Sequence, residues 1–394
     1  METDSVLQRY FSSTLSAIIA DKVTSTVQNG IAVAYSGGLD SSVLLNLAIG
    51  FAQEKNLPLF AFHIHHGLSP NADSWLLHCE SICFQNGIPF FAVKVNVSKD
   101  GKLGLEAGAR AARYSALGAL CGEHKLSIVL TAHHQDDQAE TVMLRLLRGS
   151  GVAGLSGMDL YNYAPSLLGS DKLLLARPLL SQSKQALLEY AIKNQISHIN
   201  DESNLDSRFA RNALRQQVMP ILAKVSPGYA ERMVRSARHA QSAARLLQEL
   251  AEQDIAKCSL DNALSIDLMR DLSDDRIENI LRFWLSTLNV RMPSTARLAE
   301  MRSQLFVARH DAKISIAHDG LEIHRFKNKI VFSKKRSAEN EGVFPVDFTW
   351  GGEPCLYFPK FHGYLHFDNA SIGVDSSWLM QQRLSLGLRQ GGSG

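Results

Sequence analysis

The stretch SGGLDSS, Ser36 to Ser42, stands between the apolar run IAVAYS and VLLNLAIGFA. Adjacent glycines let a backbone approach an anion with its N–H groups turned inward, and a following helix adds a favourable dipole. Ser36, Ser41 and Ser42 supply hydroxyls. These pieces suit a pyrophosphate. The chain contains no GxxxxGK followed by Ser or Thr, and no GxGxxG follows its first apolar run, which excludes the two commonest nucleotide loops. Taken as an isolated SGG, the stretch reads equally well as a plain strand-to-helix turn capped by Asp40 or Ser41.

Four further stretches carry chemistry-bearing residues. In LTAHHQDDQAETVML, Asp136 and Glu140 are four apart and Asp137 and Glu140 three apart. Helical spacing gathers such carboxylates on one face, where they can hold Mg2+ or a substrate ammonium. Acidic residues also suit a helix start, but His133, His134 and three carboxylates exceed what one cap uses. In GLEAGARAARYSAL, Glu106, Arg110 and Arg113 fall at i, i+4 and i+7, either as a solvated ion pair or as planar forks for an anion. His63, His65 and His66 in HIHHGL read first as strand-end residues, with His63 and His65 on one face and His66 on the other. Arg208, Arg211 and Arg215 recur at helical spacing in SRFARNALRQQ, and residues 203–245 hold eight Lys or Arg against Asp206 and Glu231. Such a stripe can bind RNA phosphates; on charge alone, a solvated helix face explains it.

The elements that must position these residues are legible in the periodicity. IAVAYS, LFAFHIHH, FFAVKVNV, SIVLTAHH and LLLARPLL read as strands, separated by helical patterns at about 40–54, 70–87, 104–122 and 135–148. The expected fold class is α/β: a doubly wound parallel-sheet nucleotide-binding domain over residues 1–215, with ligands at the carboxyl ends of its strands. Met233, Ala237, Ala240, Ala244, Leu247 and Ala251 mark an amphipathic helix within a helical domain over 216–312. KISIAHDGLEIHRF then alternates around Asp319-Gly320, a hairpin signal opening a small β-containing region over 313–394. SKKRSAENEG, 333–342, reads as a charged exposed connection.

Composition narrows the class. A chain of 394 residues exceeds one ordinary core, and 45% hydrophobic with 20% charged residues is globular. Net charge is +2, so any nucleic-acid surface must be local. The five cysteines lack CxxC spacing and read as reduced thiols, with Cys79 and Cys83 packed in a core. METDSVLQRYFSSTL places acidic residues before any apolar run, and no apolar run reaches membrane-spanning length; a cytoplasmic protein is expected.

SGGLDSS resembles the PP-loop of the ATP pyrophosphatase superfamily. The ordered set SGGLDS, HHGLSPNADSW, EAGARAARY, TAHHQDDQAET with RLLRGSG, ARPLL and RNALRQQVMP, about residues 30–222, is similar to the tRNA(Ile)-lysidine synthetase family. That resemblance implies a ligase that uses ATP to adenylate the C2 carbonyl oxygen of the wobble cytidine of CAU-anticodon isoleucine tRNA. Free L-lysine then displaces AMP to form lysidine, and codon specificity changes from AUG to AUA. It further implies ATP binding by Ser36, Gly37, Gly38, Leu39, Asp40 and Ser41, with Asp40 facing Mg2+. Arg113 is expected near the α-phosphate or base, His133 near the adenylate, and Asp137 and Glu140 near lysine. Arg208, Arg211 and Arg215 are expected on the tRNA, and a homodimer is left open. The alternatives are a PP-loop tRNA thiolation enzyme, which should need a catalytic Cys or a CxxC-bound cluster, and a non-catalytic tRNA-binding protein. Family members often continue into a further small β domain, so the end at LSLGLRQGGSG is expected to be a truncation.

Overall fold

The computed structural model describes residues 6–22, 29–67, 69–95, 105–199, 210–260, 263–288, 290–307, 314–326, 328–334, 345–359, 363–368 and 373–387. The chain forms two compact units, residues 1–252 and 253–394.

The first unit begins with α1 (Val6–Lys22), β1 (Ile31–Ala34), α2 (Leu39–Lys55), β2 (Leu59–His65), α3 (Ala72–Gln85) and β3 (Phe90–Lys94). It continues through α4 (Leu105–Glu123), β4 (Ile128–Leu130), α5 (Gln135–Leu147), α6 (Val152–Leu155), β5 (Tyr161–Tyr163), α7 (Pro165–Leu168), β6 (Leu174–Ala176) and α8 (Lys184–Lys193). The strands lie in the order β3-β2-β1-β4-β6-β5. All neighbours run parallel except β5 and β6. The five expected strands are therefore the five parallel ones. The antiparallel edge strand β5 was not expected, because Tyr-Asn-Tyr is too short to show a period.

Helices cover both faces, which is why the central strands read as continuous apolar runs. Phe11 and Leu15 of α1, Leu44 and Phe51 of α2 and Leu187 of α8 pack on one face, together with Cys79 and Cys83 of α3. Tyr114, Leu117 and Cys121 of α4 and Leu168 of α7 pack on the other. The strand order reverses between the adjacent strands β1 and β4. In an open parallel sheet, that reversal opens the crevice in which ligands bind.

Beyond α8 come α9 (Ala210–Ala213), a π turn (Leu214–Val218), α10 (Met219–Val225) and α11 (Tyr229–Cys258). Pro220 has no N–H for the carbonyl four residues back and crowds it, so the turn before it widens from α to π. On the expected apolar face of α11, Ala237 and Ala251 are buried whereas Leu247 is exposed.

In the second unit, β7 (Ser259–Leu260), β8 (Ala263–Ser265), α12 (Ile266–Met269), α13 (Asp274–Thr287) and α14 (Thr295–Val307) precede β9 (Ile314–His318), β10 (Leu321–Phe326) and β11 (Lys329–Lys334). The strands form an antiparallel sheet in the order β7-β8-β11-β10-β9. Ile280 and Leu281 of α13 and Leu298 and Met301 of α14 share one core with Ile316 and Ile323 of the sheet. The expected hairpin turns at Asp319-Gly320, whose φ angles of 45° and 80° are those of a type I′ turn. Two small antiparallel pairs follow: β12 (Val346–Phe348) with β15 (Leu384–Leu386), and β13 (Cys355–Phe358) with β14 (Gly363–His366). Residues 335–342 of the expected charged connection lie outside the described residues. Among the described residues, no helix is long and apolar enough to cross a membrane.

Candidate active site

β1 ends at Ala34 and α2 starts at Leu39, so Tyr35 to Gly38 make the turn. Gly37 has φ +83°, and a Cβ there would lie 2.6 Å from Ile199 Cδ1 and 2.8 Å from Cys79 Sγ. Ile199 N–H donates to the Gly37 carbonyl at 2.8 Å, stitching the turn to the chain beyond α8. The hydroxyls are turned inward on the loop itself. Ser41 donates to the Gly38 carbonyl at 3.0 Å and Ser42 to the Gly37 carbonyl at 3.1 Å, while Ser36 Oγ lies 3.1 Å from Ser41 Oγ. Leu39 packs its side chain on the core. Gly38 is the N-cap of α2 and supplies no side-chain cap; the N–H groups of Leu39, Asp40 and Ser41 therefore start the helix without a capping acceptor.

Across the crevice, β4 delivers Thr131, His133 and His134 to the start of α5. His134 caps this helix reciprocally: its Nδ1 accepts the Asp137 N–H at 3.3 Å, and Asp137 Oδ2 accepts the His134 N–H at 3.1 Å. His134 Nε2 lies 3.5 Å from Asp40 Oδ2 and 3.4 Å from Asp137 Oδ2, so one imidazole joins the PP-loop to α5. Burial works to lower its pKa, but the Asp40 hydrogen bond and the charges of Asp137, Asp40 and Asp136 raise it overall. Asp136 Oδ2 lies 3.7 Å from His134 Nδ1 and accepts the Lys184 N–H at 2.9 Å, at the start of α8. Ser183 caps that helix through the Ala186 N–H.

Asp137 and Glu140, expected together, are together, but not alone. Arg211 Nε donates to Glu140 Oε2 at 2.8 Å and its Nη2 to Asp137 Oδ1 at 3.1 Å. Arg215 Nε donates to Glu140 Oε1 at 2.6 Å, and its Nη2 reaches Glu140 Oε2 at 2.9 Å and Asp137 Oδ1 at 3.2 Å. Glu140 is buried and Asp137 nearly so. Burial alone would raise Asp137, yet the charges of His134, His133 and Arg211 hold it down at about 2. The two arginines expected on RNA thus clasp the two carboxylates expected on lysine. Arg208 lies outside the described residues.

His133 is pushed well below its usual range by burial, with Arg177, Arg113 and Arg110 reinforcing the effect against Asp137. A neutral imidazole in a cationic surround follows. Arg110 and Arg113 both lie over the Tyr114 ring, at 4.9 and 5.2 Å. Burial pulls Arg113 down, as does the charge of Arg110. The Glu106 side chain lies outside the described residues. His63 is held structurally, with Nδ1 3.0 Å from the Tyr35 carbonyl oxygen, and His65 pairs with Asp73 at 3.0 Å. His66 is pushed down to about 4 by burial and by Arg113, His63 and His65. Burial pushes the Cys79 and Cys83 thiols up to about 12, so neither is a ready nucleophile.

Among the described residues, no group of three or more His, Cys, Asp and Glu could hold a metal ion. Asp40 Oδ1, however, is buried without a hydrogen-bond partner among them. One carboxylate oxygen at a phosphate loop suits Mg2+ arriving with a nucleotide, since that ion takes one or two carboxylates and completes its shell with phosphate and water.

The description "PP-loop domain" matches residues 7–222, and "TilS substrate binding domain" matches residues 264–331. A tRNA(Ile)-lysidine synthase of Coxiella burnetii is 37% identical over 370 residues, covering 94% of this chain and 80% of the relative. The chain belongs to the tRNA(Ile)-lysidine synthase family. Its relative of that name from Burkholderia pseudomallei is 42% identical over 316 residues, 79% of this chain, and the chain spans 63% of that relative's length.

Several residues of this family member escaped the sequence reading. The place of His134 three residues before Asp137 fits a reciprocal cap, a role that the run of polar residues around it masks. Arg177 of ARPLL is buried and donates to the Asp159 carbonyl and Asn162 Oδ1, both at 2.8 Å. Gln138, also buried, brackets the Met158 backbone with bonds of 2.8 and 2.7 Å. Both lie in stretches that carry the family resemblance, ARPLL and TAHHQDDQAET, but nothing local shows their roles, because the partners are 15 to 20 residues away.

Proposed function

We propose that this chain adenylates the C2 carbonyl oxygen of the wobble cytidine in CAU-anticodon isoleucine tRNA and then joins L-lysine to that carbon. The carrying observation is the meeting of the uncapped PP-loop helix with the Asp137–Glu140 cluster, through His134 and Asp40 at 3.5 Å, at the strand reversal. Family membership supplies the reaction class.

In the first step, the open N–H groups of Leu39, Asp40 and Ser41 hold the β- and γ-phosphates, and Arg113 faces the α-phosphate. The cytidine oxygen bonds to the α-phosphorus as the bond to pyrophosphate breaks, and the loop retains the departing anion. Mg2+ held at Asp40 would neutralise phosphate charge. In the second step, a lysine amine bonds to C2 and the C2–O bond to AMP breaks. Neutral His133 is suited to accept the amine's proton, and Asp137 and Glu140 to hold the lysine ammonium. The cationic side of α11, with Arg232, Arg235 and Arg238 exposed, would face RNA. We assign catalysis to residues 1–215, RNA contact chiefly to 216–312 and substrate discrimination to the remainder, in the cytoplasm.

The test incubates the chain with ATP, lysine and CAU-anticodon isoleucine tRNA, followed by nucleoside mass spectrometry. A lysine-dependent gain on cytidine is expected. ATP-dependent pyrophosphate release without that product would reduce the assignment to adenylation; absence of both, beside an active full-length relative, would remove it.

A further inference from the structure

Asp137 and Glu140 present four carboxylate oxygens, and each is engaged. Glu140 Oε2 and Asp137 Oδ1 each accept from both Arg211 and Arg215; Glu140 Oε1 accepts from Arg215, and Asp137 Oδ2 accepts from the His134 backbone. Two guanidinium charges balance two carboxylates in a site where Glu140 is 3% exposed. A lysine ammonium entering this arrangement would be a third cation at two carboxylates whose oxygens are all taken, with Asp40 and Asp136 nearby but gathered around His134 at 3.5 and 3.7 Å, and a poorly solvated site resists an ammonium it cannot pair directly. The carboxylates can serve lysine only when at least one guanidinium leaves.

The arginines stand on an element able to release them. Arg211 belongs to the single turn of α9 and Arg215 to the π turn that Pro220 imposes. Guanidinium forks match phosphate oxygens as well as carboxylates, and RNA offers phosphates in a dense row.

We propose that Arg211 and Arg215 couple lysine binding to RNA binding: they occupy Asp137 and Glu140 in the free chain and yield both carboxylates to lysine when RNA phosphates take the guanidinium groups. This rests on the reading that Asp137 and Glu140 receive the lysine ammonium. The coupling keeps a nucleophilic amine away from bound ATP until the cytidine is in place. ATP also carries phosphates, so the test separates the two sources.

Equilibrium dialysis with radiolabelled lysine is run on the full chain alone, with a non-hydrolysable ATP analogue, with CAU-anticodon isoleucine tRNA transcript, and with both. RNA is expected to tighten lysine binding at least tenfold and the analogue alone to leave it unchanged. The double variant Arg211→Gln/Arg215→Gln should bind lysine without RNA about as tightly as the wild type does with it, and Arg211→Lys/Arg215→Lys should fall between. Equal wild-type binding with and without RNA overturns the coupling, and needs no variant to fold. Opening by the analogue alone overturns RNA as the source. Lysine binding in no arm, despite RNA retention by the same chain, removes the lysine reading itself and the coupling with it.

Discussion

Replacing Gly37 by alanine tests how the PP-loop is built. Two costs can be separated. The φ of +83° places an L-residue in left-handed space, at about 1–2 kcal/mol. The new methyl also meets Ile199 Cδ1 at 2.6 Å and Cys79 Sγ at 2.8 Å, contacts that cost about 1–3 kcal/mol when a packed interior must shift. Together they predict a loss of about 2–5 kcal/mol, read by urea titration of the first unit's transition, with ATP affinity measured on the fraction that stays folded. Ile199→Val and Cys79→Ala remove the two clashing atoms while leaving φ untouched. In the Gly37→Ala background that pair should therefore restore the packing part and leave about 1–2 kcal/mol unrecovered, after subtracting the pair's own cost in the Gly37 background. A Gly37→Ala protein within about 0.5 kcal/mol of wild type, the spread of an innocuous surface change, would refute the reasoning. So would a failure of the relieving pair to recover any stability.

Gly38→Ala should behave oppositely. Its φ of −69° suits alanine, and the added methyl meets only Ser36 Oγ, at 3.8 Å, so stability should hold while filter-binding affinity for ATP falls because the methyl intrudes on the phosphate approach. Asp137, lowered from 3.8 to about 2, contributes stability that is fully present above about pH 4 and is lost as pH falls through about 2. At 1.36 kcal/mol per unit this amounts to about 2 kcal/mol, and Asp137→Asn should flatten the acid limb of a pH–stability curve. Thr131 Oγ1 lies 2.9 Å from His133 Nδ1 and 3.4 Å from the Ala176 carbonyl oxygen. Both contacts are made when Nδ1 carries the proton and the hydroxyl donates to the carbonyl, so 15N spectra should show His133 in the Nδ1–H tautomer, and Thr131→Val, but not Thr131→Ser, should shift it.

What the sequence disclosed and what it hid divide along physical lines. β1 to β4 and β6 were legible because buried parallel strands need uninterrupted apolar runs, and α2 to α5 because each crossover shows a helical period between them. The edge strand β5 has three residues and no period, and Leu247 fits an apolar stripe that the fold leaves exposed. Within the site, the turn at Gly37 and the spacing of Asp137 and Glu140 were readable locally. Their clasp by Arg211 and Arg215 was not, since it joins positions more than 70 residues apart, and helical spacing says which residues share a face without saying what that face meets.

Of the helices that begin at the carboxyl edge of the sheet, α5 is closed by His134 with Asp137, and α8 by Ser183 with Asp136. α2, beside α5 at the strand reversal, begins without a side-chain cap, as α3 does farther along the edge. An incoming phosphate therefore finds, at the reversal, an open helix start beside the closed start of α5. The attraction at that place comes from peptide groups, which neither titrate nor vanish on side-chain substitution. Nucleotide capture should thus retain a constant component across neutral and mildly alkaline pH, over which the protonation of His134 and the salt sensitivity of the arginines are superimposed.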